Sequence, residues 1–119
     1  MTNPALHFDQ PDIETHLHTL LSGFTGTTLW VSEVDFRYPF WACGYRVEVV
    51  CQARSKQAAS DLANDVGDRI LATRVLPWDA GVVLVSEALD APAWSPRENG
   101  APAYACAYRL VVRPKGTTP

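Results

Sequence analysis

Three histidines and three cysteines are the side chains of this sequence best suited to metal or nucleophilic chemistry. His16 and His18 stand two apart in a helical stretch, so they point in different directions. A zinc pair on a helix wants a spacing of four, as in HExxH, and His7 lies apart in an N-terminal arm. All three read as surface histidines. Cys43, Cys51 and Cys106 form no CxxC pair, and their odd number favours reduced thiols over a disulfide framework or a zinc site. Cys51 and Cys106 fall inside apolar strand patterns, where a free cysteine acts as a small hydrophobe. No GxSxG, GxGxxG or P-loop pattern occurs. The pairs Asp9/Asp12 and Asp61/Asp65 read as helix-start and helix-surface charges rather than an acid and a base. No residue argues for an enzyme, a metal or a cofactor.

The elements that position these residues belong to one domain. The 119 residues are 47% hydrophobic and 19% charged, enough to build a core without a disulfide or metal staple. The formal net charge is −3 and there is no Lys/Arg run, so the basic stripe of a nucleic-acid binder is missing. The first eight residues lack the pattern of a signal peptide, and no apolar run is long enough to span a membrane. A soluble protein of the cytoplasm is expected.

A helix is predicted over residues 10–22, with Asp9 as N-cap and Gly23 as a left-handed stop. Ile13, Leu17, Leu20, Leu21 and Phe24 recur on one face of it. Strand one is predicted over 27–35, with its inward face undecided between Leu29/Val31 and Trp30/Val34. A loop, FRYPFWACG, is predicted over 36–44. Its aromatic residues Tyr38, Phe40 and Trp41 either fold back on the core or wait for a partner. Strand two, over 45–53, alternates most cleanly: Tyr45, Val47, Val49 and Cys51 against Arg46, Glu48, Gln52 and Arg54. A helix over 56–74 starts at the N-cap Ser55 and buries Ala59, Leu62, Ala63, Val66, Ile70 and Leu71. Gly67 within it suggests a close approach to the sheet. Strand three is predicted over 82–89, a proline-containing loop over 90–102, and strand four over 103–113. Residues 115–119 are expected to be a disordered tail to a single domain spanning 1–114.

The order αββαββ implies an α+β domain: a four-stranded, mostly antiparallel sheet with both helices on one face. The two cleanest strands should be central, giving the order 1-2-4-3. The other face carries Arg46, Glu48, Gln52, Arg54, Arg109 and Arg113 among small alanines. It is either an ordinary solvated face or one built for close approach, with arginines suited to interface ion pairs.

Taken together, several segments resemble the tail terminator family of long-tailed bacteriophages. They are the opening helix DIETHLHTLL, the turn YPF at Tyr38 to Phe40, and the strand-to-helix run YRVEVVCQARSKQAASDLANDVGDRIL. The last are a Trp-Ser-Pro turn and the strand AYACAYRLVVRP. The likeness covers about residues 12–114, and departs at WACG, Trp41 to Gly44, where a polar or Arg-rich stretch is more usual. It implies a homohexameric ring in the virion, at the head-proximal end of the tail. The ring would cap the tail tube protein, stop its polymerisation and join it to the head-tail connector protein, with DNA passing through unbound. Phe40, Trp41, Arg46, Arg54 and Arg109 are the residues expected to meet a neighbour or the tube. Two other functions compete: a head-closure or neck connector protein, and a small ferredoxin-like domain that binds a ligand or acts as an enzyme.

Overall fold

The computed structural model describes residues 12–37 and 42–114, with 33–37 and 114 described as backbone only. Helix α1 spans Ile13–Leu20, strand β1 Thr27–Arg37, strand β2 Ala42–Gln52 and helix α2 Lys56–Ala72. A short 3-10 turn, Pro77–Asp79, leads into strand β3 at Gly81–Trp94, and strand β4 is Ala103–Pro114. The four strands form one antiparallel sheet in the order β1-β2-β4-β3, with both helices on one face. The expected fold class and strand order are therefore the observed ones.

Helix α1 begins later than expected. Its N-cap is Asp12 rather than Asp9, since the Asp12 carboxylate accepts from the Thr15 amide at 3.2 Å and the Thr15 hydroxyl at 2.8 Å. Those bonds, the hydroxyl's first, hold the Asp12 carboxyl below its ordinary range. Nor is Gly23 the left-handed stop. The helix closes at Leu21, with φ −99°, and the glycine with positive φ is Gly26 at 87°. A Cβ at Gly26 would collide with the Gln52 carbonyl, because the chain there passes tightly beside the end of β2.

Strand lengths differ most from expectation. The β1/β2 ladder runs on to Phe36↔Cys43 and Arg37↔Ala42, so most of the predicted 36–44 loop is strand. The apolar residues Ala42 and Cys43 are buried in it. Strand β3 reaches Trp94, five residues beyond the predicted end, and Asp90 to Trp94 are ladder rather than loop.

The sheet's helix-covered face is the core. Register puts Leu29 beside Val49, Val31 beside Val47, Val49 beside Cys106, Val47 beside Tyr108 and Tyr45 beside Leu110. These pack under Ile13 and Leu17 of α1 and Ala63, Val66 and Ile70 of α2. Thus Leu29 and Val31 are the inward residues of β1, and Trp30 is half-exposed on the other side. At Gly67, α2 comes so close to β4 that a Cβ would meet the Tyr108 hydroxyl. The end of α2 is sealed by Arg74, which donates to the Leu71 and Thr73 carbonyls, and by the Ser86 hydroxyl, which donates to the Leu71 carbonyl at 3.0 Å.

Candidate interaction surface

The sheet's second face has no helix over it among the described residues. Its rows can be read across the strands. Trp30, Glu48, Ala107 and Asp90 make one row, and Ser32, Arg46, Arg109 and Glu87 the next. Val50, Ala105 and Ala93 make a third. Small alanines of β3 and β4 thus lie next to charged residues that the central strands carry.

Those charges answer one another within the chain. The Arg46 guanidinium donates to Glu48 Oε1 at 3.0 Å and to Asp90 Oδ2 at 3.3 Å. The Glu48 bond, ahead of that to Asp90, raises the Arg46 pKa further. Arg109 donates to Glu87 Oε1 at 3.5 Å. Two of the five residues singled out from sequence, Arg46 and Arg109, therefore stand side by side across β2 and β4, already paired with acids of their own chain. Asp90 could not be anticipated as a partner while it was assigned to a loop. Arg54 lies past the end of β2, exposed beside Gly26, Thr27, Thr28, Ala101 and Pro102, and is not brought to the other two. Phe40 and Trp41 lie outside the described residues. Arg54 and Arg113 make no ion pair among the described residues.

Edge strand β3 has a feature the sequence did not announce. Three irregularities interrupt its ladder with β4, between Val83 and Val85, Ala88 and Asp90, and Asp90 and Ala93. Each places one more residue on β3 than on β4, as a β-bulge does. The extra residues at the first two are Leu84 and Leu89, 45% and 42% exposed. Bulges normally blunt an edge against strand addition. Here they also turn two leucines outward. On the opposite edge, β1 exposes Trp30 at 48%.

Two aromatic contacts lie on the helix side of the sheet. Trp94 meets Tyr104 edge-on at 5.5 Å, with Lys56 Nζ 5.1 Å above the indole. Trp78 is 69% exposed, and its ring lies 5.1 Å from that of His16. His16 is buried, contrary to the expectation of a surface histidine, and its Nδ1 has no hydrogen-bond partner among the described residues. His18 is the exposed one, 3.8 Å from Glu14.

No protein-family model matches the chain, and no curated protein matches it either. The described residues hold no cluster of three metal-ligating side chains, and no helix among them is long and apolar enough to cross a membrane. All three thiols are buried, and burial pushes that of Cys51 up to about 12 and that of Cys106 in the same direction. Neither is an activated nucleophile.

Proposed function

We propose that the chain is the structural subunit of a homohexameric ring that terminates a phage tail tube, as its sequence resemblance implies. One observation carries the reading in the structure. The sheet has two unlike apolar margins, Trp30 on β1 and Leu84 with Leu89 on β3. A ring needs a heterologous contact, in which one patch meets a different patch on the next copy, and unlike margins on opposite edges suit it. Arg46 and Arg109, held by Glu48, Asp90 and Glu87, are not left as free cations to grip phosphate. That suits a ring through which DNA slides, since each neutralised phosphate adds salt-dependent affinity.

The test is electron microscopy of purified tail tubes incubated with the protein. Six copies at one tube end, with tube growth stopped, is the expected result. A two-fold dimer as the sole assembled form would overturn it. Capture by DNA-filled heads and not by tubes would instead identify a neck connector. Fluorescence anisotropy with duplex DNA should give binding no tighter than about 10⁻⁴ M near physiological salt. Sub-micromolar affinity with a steep salt slope would mark a DNA-binding adaptor.

A further inference from the structure

Strand β1 forms one edge of the sheet, and among the described residues no other strand pairs with its outer side. Which of its backbone groups point outward follows from one bond just before the strand. The Gln52 amide donates to the Gly26 carbonyl at 2.8 Å, and Thr27 is the register partner of Cys51. In an antiparallel ladder, bonded and unbonded pairs alternate. Thr28, Trp30 and Ser32 therefore bond to β2, while the N–H and C=O groups of Thr27, Leu29 and Val31 face the free edge. The stretch from Thr27 to Glu33 keeps one unbroken register. Thr27 to Ser32 contains no charged residue and no proline, which are common means of blunting an edge against strand addition.

The opposite edge is built differently. β3 carries three bulges, Glu87, Asp90 and Pro92, and its Val82 is already bridged to Val75. It offers no regular run as long as that of β1. β1 is also complementary to itself. Two copies can pair antiparallel about a two-fold axis, and the register that uses the whole run from Thr27 to Glu33 puts the axis at Trp30. Leu29 then exchanges backbone bonds with Val31 of the second copy, both on the helix side of the sheet. Thr28 stands beside Ser32 of the second copy, so no like charges meet across the axis between Thr27 and Ser32. Trp30, half-exposed on the open face, stands opposite its own counterpart in an unbonded pair, where side chains come closest. Aromatic pairs across strands stabilise a sheet.

We propose that β1 is a self-association edge, to which a second copy of this chain adds its own β1 across a two-fold axis at Trp30. The two four-stranded sheets become one continuous sheet. The inference rests on β1 alone and not on the ring. Because the pairing covers Trp30, a margin that the ring uses for its neighbour contact, the dimer is the form of the protein away from the tube and gives way when a ring assembles.

Sedimentation equilibrium of the full chain, without tail tubes, tests it. A reversible dimer is expected at micromolar concentration. Trp30→Lys sets two like charges opposite each other and should weaken dimerisation at least about tenfold, as should Trp30→Glu. An equal mixture of these two variants should dimerise again, since lysine then faces glutamate. Val31→Pro removes an outward N–H at a position where an edge strand tolerates proline, and with it two symmetry-related bonds. A loss of at least about tenfold is expected there too. Leu84→Ser, on the other edge, should leave the dimer unchanged. A monomeric wild type overturns the proposal, as does a dimer that survives both Trp30→Lys and Val31→Pro, or one that Leu84→Ser abolishes. A mixture of the Trp30→Lys and Trp30→Glu chains that stays monomeric overturns the axis at Trp30.

Discussion

One sheet here presents two very different faces. Under the helices, Val47, Val49, Leu110 and Val112 are sealed beneath Val66 and Ile70. On the open side, Arg46, Glu48, Glu87 and Asp90 pair in partial or full exposure to solvent around a floor of alanines. The same strands supply both. Alternation along β2 and β4 therefore separates the helix-packed core from the face that carries the paired charges, although Ala103, Ala107 and Val111 on that second parity are buried too. Changes on the covered face should act on folding, and changes on the open face and its edges on association.

The largest expected effect is on the covered face. Ile70→Ala, at a fully buried position, should lower unfolding free energy by about 2–5 kcal/mol in urea titrations. A loss below about 1 kcal/mol would mean that α2 is not packed as described.

Gly67→Ala comes next. Alanine improves helix propensity by up to ~1 kcal/mol, yet its Cβ would strike the Tyr108 hydroxyl on a rigid, buried ring. Net destabilisation of about 1–2 kcal/mol is expected, and adding Tyr108→Phe should return part of it. If the double variant is no better than the single, the contact is not what fixes the approach of α2 to β4.

A pH series sharpens the same contrast. Burial raises the Cys51 thiol to about 12 from an ordinary 9.0, and raises the Tyr108 phenol too. The unfolded chain releases the thiol proton at lower pH than the folded one. The contribution of Cys51 is thus intact below about pH 9 and lost progressively as pH rises from there towards 12. The thermal midpoint should fall between pH 9 and 10.5, and less so in Cys51→Ala. Equal slopes in the two proteins would remove Cys51 from the account.

The smallest effect on folding is expected at the β3 margin. Leu84→Ser and Leu89→Ser should each move stability by no more than about 0.5 kcal/mol. Under the ring reading, the pair together should abolish assembly on tail tubes in sedimentation. Undiminished assembly would place the neighbour contact elsewhere.

How far the sequence reveals this arrangement depends on the local pattern. β2 and β4 are central and pair without a register shift, so side chains change face at every step, and their pairing was legible. β3 was not. Its inward residue is Val83 before the first bulge, Ser86 and Ala88 after it, and Trp94 after the third, so parity changes three times in fourteen residues. A period-2 search sees no strand in such a run. Asp90 was lost from the candidate surface for the same reason, and with it one of the two partners of Arg46. His16 escaped notice because helical spacing places it beside the apolar stripe, while the ring it meets comes from Trp78, sixty-two positions along the chain.

The three bulges also decide where the chain can change length. In β4, deleting one residue would swap every following side chain between core and surface, turning Leu110 or Val112 outward. In β3, Leu84 and Leu89 have no opposite number on β4. Either could be removed with every later residue keeping its partner and its face. The outer strand is thus a place where single-residue insertions and deletions can accumulate without disturbing the sheet, and the contour of this edge can drift between related proteins while the central strands β2 and β4 hold their register.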